Sequence, residues 1–356
     1  MKLKKILFAL AVLTSLASCS KDENKTVDWQ EAGDASLSVQ VRTRNVGTTK
    51  AVDNDKNALP GEAKINDMAV LVFDQSGASR IGYSWKKINT LDATATIEGV
   101  EAKMVNVQIA VFANVADELL SRVTSVSDLQ SLYAALATQK QDYQSMSSGL
   151  ITTQGVLAEQ NYIGFGAGYT NINNLYDPLV LTRIAARIEI SSFRTKFVGT
   201  KLAGETVRID ALSLLNVKEN SYCFNAEDWG VVEVPNSKYI NVKEPFTPIT
   251  INDESTIKRN VLGYVYENNN ESAPTQIQIV ATLLAANGHK EQTRTFTATI
   301  NEKREGHDKR LIRRNYVYDL KIAFTEKSFS PESELSTLEV TVIVVPWGSV
   351  EQNVEI

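Results

Sequence analysis

Apolar and polar residues alternate one for one through Ala35-Ser-Leu-Ser-Val-Gln-Val41, with Leu37, Val39 and Val41 on one face and Ser36, Ser38 and Gln40 on the other. Successive side chains of a strand point to opposite faces, so a period of two specifies a half-buried strand. Strand-like runs recur at 68–74, 93–97, 104–113, 179–190, 207–217, 261–266, 277–285, 293–300, 316–324 and 338–345, divided by clusters of Asn, Gly and Pro. Many short strands with turn signals between them and few helical patterns predict antiparallel sheets packed as sandwiches. One helix interrupts them: Ser127-Asp-Leu-Gln130 matches a capping box, and Leu129, Leu132, Tyr133 and Leu136 recur at helical spacing. The stretch 149–178, rich in Gly, Asn and Thr, is expected to form long loops.

A chain of 356 residues exceeds the usual span of one domain, roughly 100–200 residues, so two are expected, 51–180 and 181–356. A net charge of −5 argues against nucleic acid as a partner, because neutralising phosphates needs a basic face. Of the two cysteines, Cys223 follows Tyr222 in a strand-like run and is expected to be a buried, inert thiol. His289 and His307 lie in separate segments without a Cys or carboxylate at metal-ligand spacing. Asp53-Asn-Asp55-Lys-Asn57 begins like a calcium loop, but Ala58 and Lys64 stand where Gly and Glu are required. Gly164-Phe-Gly166-Ala-Gly168 lacks the spacing of a dinucleotide fingerprint. The sequence therefore predicts neither an enzyme nor a cofactor.

The N-terminus carries an address. Lys2, Lys4 and Lys5 precede about a dozen apolar residues and then Leu16-Ala-Ser-Cys19, the pattern of a secretory signal whose cut site holds a cysteine. This predicts removal of 1–18 and a lipid on Cys19, the apolar run being shorter than the roughly 20 residues that span a bilayer. Ser20-Lys-Asp-Glu follows as a polar tether, similar to the outer-membrane export signals of some Gram-negative lipoproteins. From Arg42 to Glu62 the chain is polar and loop-like, with Arg44 and Lys50 as basic points where a protease would cut. Residues 19–50 thus form a lipidated leader that includes the alternating strand 36–41.

The other end carries Leu338-Glu-Val-Thr-Val-Ile-Val-Val345, then Pro346-Trp347-Gly348. Leu338, Val340, Val342 and Val344 share one face, while Ile343 and Val345 make the far end apolar on both. Such a strand needs cover on both faces, and a terminal one can also complete a neighbour's sheet.

Four separated stretches resemble the major fimbrial subunit family, the FimA-type fimbrillins of anaerobic Gram-negative bacteria. They are Thr49-Lys-Ala-Val-Asp53 leading to Glu62-Ala-Lys-Ile-Asn-Asp-Met-Ala-Val-Leu-Val-Phe73; Leu181-Thr-Arg-Ile-Ala-Ala-Arg-Ile188; Arg313-Arg-Asn-Tyr-Val-Tyr318; and Val344-Val-Pro-Trp-Gly-Ser-Val-Glu-Gln352. The resemblance implies a mainly β chain of two transthyretin-like antiparallel β-sandwich domains with one or two short helices. It implies an outer-membrane lipoprotein precursor that becomes part of an extracellular fimbrium serving adhesion and biofilm formation. An Arg- or Lys-specific surface protease would cut after Arg44 or Lys50, the latter matching the family position. A groove would open in the first domain, and the donor-type strand 337–356 of another subunit, with Leu338, Val340, Val342, Val344 and Trp347, would fill it. Other fimbrial subunits are the implied partners. The alternative roles are an uncleaved anchor keeping its lipid on Cys19, a tip adhesin, or a glycan-binding lipoprotein in which Trp85, Trp229 and Tyr239 stack on sugars.

Overall fold

The computed structural model describes residues 28–43, 59–88, 94–224, 234, 237–243, 245–253, 260–286, 288, 290–302, 311–330 and 338–346. The chain is mainly β, as expected. The first half contains β1 (Asp34–Thr43), β2 (Asp67–Asp74), β3 (Arg80–Lys87), β4 (Thr94–Lys103), β5 (Val107–Ala113) and β6 (Tyr133–Ala135). It continues with β7 (Met146–Ser147), β8 (Ile151–Thr152), β9 (Gln160–Ile163) and β10 (Leu179–Arg183). The second half contains β11 (Ala185–Lys196), β12 (Val207–Lys218), β13 (Asn220–Tyr222), β14 (Tyr239–Lys243) and β15 (Ile249–Ile251). It ends with β16 (Asn260–Tyr266), β17 (Gln276–Leu283), β18 (Gln292–Thr299), β19 (Tyr316–Thr325) and β20 (Glu339–Pro346). The helices are short: α1 (Asp117–Leu120), α2 (Val126–Ser131) and α3 (Glu326–Phe329).

In the first half a nine-stranded sheet runs β3-β2-β5-β7-β10-β1-β4, with β8 added on β5 and β9 on β1. Its two ends face each other across one core, where Leu37, Val39 and Val41 of β1 and Ile97 of β4 meet Val70 and Val72 of β2 and Ile109 and Val111 of β5. The alternation read in β1 is the observed one: those three side chains are wholly buried and Ser36, Ser38 and Gln40 are half-exposed. β2 is buried along nearly its whole length because its second face, Ala69, Leu71 and Phe73, is covered as well. The second half is a sandwich of β16-β11-β19-β20 against β14-β12-β17-β18, with β15 on β12. Ile188, Ile190, Leu212, Leu214, Ile279, Phe296, Leu320 and Phe324 are among the residues of its core.

A third core joins the two halves. Ala69, Leu71, Phe73, Ala110 and Phe112 from β2 and β5 pack with Leu120 and Leu129 of α1 and α2, and with Cys223, Phe224 and Tyr266 of the second half. Only Ile184 separates β10 from β11, so the backbone passes from one sandwich to the other without a linker.

Local expectations shift in four places. The run 179–190 is not one strand but two, β10 ending at Arg183 and β11 starting at Ala185. The helix is capped at Ser125, whose hydroxyl accepts from the Asp128 amide, rather than at Ser127. It also stops at Ser131: Leu132 turns extended, and Tyr133–Ala135 pairs with β13. The helical spacing of Leu132, Tyr133 and Leu136 loses to that long-range ladder, as tertiary context overrides local preference. The stretch 149–178 holds β8 and β9 among its loops. Finally, the sheets are mixed, since β1 runs parallel to β9 and β10 and β11 runs parallel to β19. Among the described residues no helix is long and apolar enough to cross a membrane.

Candidate functional site

β1 occupies an interior slot. Along one edge it pairs antiparallel with β4 from Asp34 opposite Lys103 to Arg42 opposite Thr94. Along the other it pairs parallel first with β9, Ser36–Val39 against Gln160–Ile163, and then with β10, Val41–Thr43 against Leu179–Leu181. Lys103 Nζ donates to Asp34 Oδ1 at 2.5 Å, closing the end of the β4 ladder. Gly164 lies against the slot at φ +87°, where a Cβ would stand 2.7 Å from the Gln40 carbonyl oxygen and 2.9 Å from Pro178 Cα. Only glycine lets the chain turn away from β9 so close to β1.

The chain after the basic loop is tied to the seam between the sandwiches. Glu62 is fully buried, as are Arg183 and Arg187. Arg187 Nη1 is ion-paired with Glu62 Oε2, and its Nε donates to Glu189 Oε2 at 2.9 Å. Tyr264 donates its hydroxyl to Glu62 Oε1 at 2.7 Å, and the Leu59 amide donates to Glu62 Oε2 at 2.6 Å. Arg183 donates through Nε and Nη2 to the Glu62 carbonyl at 3.2 and 3.0 Å. Two arginines thus gather about two carboxylates, Glu62 and Glu189. Burial lowers the Arg183 pKa to about 10, partly opposed by the Glu62 charge. Burial and the same charge push the Tyr264 phenol far above its ordinary value, so it stays a donor. The cluster joins Glu62, within the first family-like stretch, to Arg183 and Arg187 in the second.

β20 is paired antiparallel with β19, Val340 opposite Ile322, Val342 opposite Leu320 and Val344 opposite Tyr318, as the end strand of its own sheet. Leu338, Val340 and Val342 are partly buried against the second core. Lys196 Nζ reaches Glu339 Oε2 at 2.7 Å on the outer face.

Cys19, Arg44, Lys50 and Trp347 lie outside the described residues, as do His289, His307 and Trp229. Cys223 is buried as expected, and burial pushes its thiol up to about 12, which leaves it protonated and unreactive. Trp85 packs half-buried against the core between the sandwiches, and half-buried Tyr239 accepts a hydrogen bond from Asn270 Nδ2 at 3.2 Å. Neither is displayed as a sugar platform. Among the described residues no cluster of His, Cys, Asp or Glu is arranged to hold a metal ion. The Glu62 cluster went unread in the sequence, where charged residues default to the surface. The available signal was Arg183, Arg187 and Glu189 inside an otherwise apolar run.

A family model described as the major fimbrial subunit protein FimA matches residues 35–183. A second, described as the C-terminal domain of a Fim1C-like fimbrium tip subunit, matches 184–347. A protein of Parabacteroides distasonis designated a fimbrium tip subunit, Fim1C, is 38% identical over 329 residues, covering 91% of this chain and 87% of its own. A crystal structure of a Parabacteroides distasonis protein designated a cell adhesion protein superposes with a TM-score of 0.79 at 39% identity, covering 90% of this chain and 99% of that one. A Porphyromonas gingivalis fimbrilin shares the fold, with a TM-score of 0.60 at 18% identity over 89% of this chain and 99% of that one.

Proposed function

Since the chain belongs to the family of FimA-type and Fim1C-like fimbrial subunits, we propose that it is exported as a lipoprotein, cut in the 42–51 loop and assembled by strand exchange. The product is a surface fimbria that supports adhesion and biofilm formation. The observation that carries the reading is the position of β1: it is paired along both edges and buries Leu37, Val39 and Val41 in the first core. A cut after Arg44 or Lys50 separates this strand covalently from everything that follows, while Glu62 keeps the new N-terminal region fastened at the seam. Loss of β1 would leave an apolar slot between β4 on one side and β9 and β10 on the other. An extended apolar segment satisfies both ladders, which is strand addition into an interior gap. The donor is the terminal strand of another subunit, with Leu338, Val340, Val342 and Val344 facing inward and Trp347 following.

A tip position is the second reading, favoured by the Fim1C-like match over 184–347 and by the 38% identity with the protein designated a tip subunit. A tip subunit sits at filament ends, whereas a stalk subunit is spread along the length.

The test is N-terminal sequencing and intact mass of protein sheared from the cell surface, with gold-labelled antibody against it in electron micrographs. The expected result is a start at Asn45 or Ala51 in a high-molecular-weight ladder. Label confined to filament ends selects the tip. A lipidated start at Cys19 in a monomer overturns proteolytic assembly, and a chain truncated before Leu338 that still polymerises overturns the donor role.

A further inference from the structure

Tyr162, Phe165 and Tyr169 gather on the surface around the turn that follows β9. Their ring centroids lie 4.7–5.4 Å apart, from 4.7 Å for Tyr162 and Tyr169 to 5.4 Å for Phe165 and Tyr169. The rings are tilted by 56–65°, so they form a shallow cup instead of a stack. None of the three belongs to the cores of the molecule, and Tyr169 is 51% exposed.

The Asn171 side chain buttresses this turn, beside backbone bonds from the Tyr162 amide to the Thr170 carbonyl at 3.0 Å and from the Gly164 amide to the Leu175 carbonyl at 2.8 Å. Asn171 Nδ2 donates to the carbonyls of Phe165, Gly166 and Tyr169 at 3.1, 2.8 and 3.2 Å, and its Oδ1 accepts from the Phe165 amide at 3.1 Å. The rings are thus displayed on a loop fixed in advance, which lowers the ordering cost of binding. Tyr162 and Phe165 are half-buried and Tyr169 exposed, so the rings form one continuous apolar patch at the surface, the kind of feature that marks a recognition site.

The same loop continues into a cleft of about 210 Å³ between 153–158 and 170–174. Amides and hydroxyls line it, among them Gln154, Thr170, Asn173 and Asn174, with Val156 as an apolar contribution at 65% exposure. Among the described residues no ionisable side chain lines it. The charged residues closest along the chain, Glu159 and Asp177, are acidic and exposed, which disfavours a sulfated or sialylated ligand. Rings that cover the apolar face of a pyranose, beside neutral donors and acceptors for its hydroxyls, are the chemistry of uncharged sugar recognition.

We infer that the Tyr162–Phe165–Tyr169 cup and the adjoining cleft bind a neutral carbohydrate chain. This deepens the adhesive part of the proposed function, naming a ligand class; because β9 pairs with β1, the site is tested in the uncut chain, where β1 is in place. Saturation-transfer NMR on the exported full chain tests it, with cellohexaose, maltohexaose, xylohexaose and lacto-N-tetraose as neutral probes and a heparin hexasaccharide and sialyllactose as charged ones. Transfer to at least one neutral probe is expected. Tyr169→Ala and Phe165→Ala should each weaken that binding at least tenfold, and Tyr239→Ala should leave it unchanged. Tyr169 is half-exposed, so its variant should keep the parent melting temperature, which is measured alongside. Transfer to none of the neutral probes, transfer to the charged probes alone, or binding that survives both ring substitutions overturns the inference. So does a Tyr169→Ala chain that fails only in assembly, which would assign the rings to a contact between subunits. Because binding is read on the monomer and assembly by the sheared ladder, each can fail while the other stands.

Discussion

Glu62 carries more of this structure than any surface charge, because it compensates Arg187 directly and orders the turn from Leu59 that presents its own carbonyl to Arg183. Removing one member of a buried pair leaves an uncompensated charge, at a cost of roughly 3–5 kcal/mol, whereas exposed pairs contribute about 0–1 kcal/mol. Glu62→Ala is therefore expected to lower unfolding stability by about 3–5 kcal/mol. Glu62→Gln should cost less, since an amide oxygen still accepts from Tyr264. Urea titration of the uncut chain measures both. A loss from Glu62→Ala under about 1 kcal/mol, the worth of an exposed pair, would mean that Glu189 alone neutralises Arg187.

Among the elements, β1 is where packing and the proposed assembly meet. Leu37 is fully buried, so Leu37→Ala is expected to cost about 2–5 kcal/mol in the uncut chain. A resident strand held less tightly leaves sooner, and the same variant should form the polymer ladder faster once the 42–51 loop is cut. An unchanged rate would mean that departure of β1 does not limit assembly. β1 and β2 were readable from sequence because burial on one or both faces writes itself as alternation or as an unbroken apolar run. The break at Ile184, the early end of α2 and the parallel partners of β1 were not. Each depends on pairing with residues far along the chain, as Tyr133–Ala135 does with Asn220–Tyr222, and local pattern does not record it. The aromatic cup escaped for a different reason. In a Gly- and Asn-rich stretch nothing in the spacing of Tyr162, Phe165 and Tyr169 says that Asn171 will draw them together.

At the scale of the molecule, the two sandwiches share Phe112, Cys223, Phe224 and Tyr266 in one core and are fastened by Glu62, Arg183 and Arg187. Coupling of this kind is expected to make them one cooperative unit, as a large hydrophobic interface between domains does. Calorimetry should show one transition, and Phe112→Ala should move it as a whole, destabilising by about 3–5 kcal/mol. Two separate peaks in the parent chain would show that the seam does not couple them. The ladders on β1 also bear on traction. A strand bonded along both edges, if drawn along its own axis, strains every rung of two ladders together. β20, bonded among the described residues to β19 alone, can instead be unzipped one rung at a time when pulled across its axis. If the proposed joint occupies the interior slot, a filament dragged by flow is tougher for it: the tug that would peel an edge must there shear two seams at once.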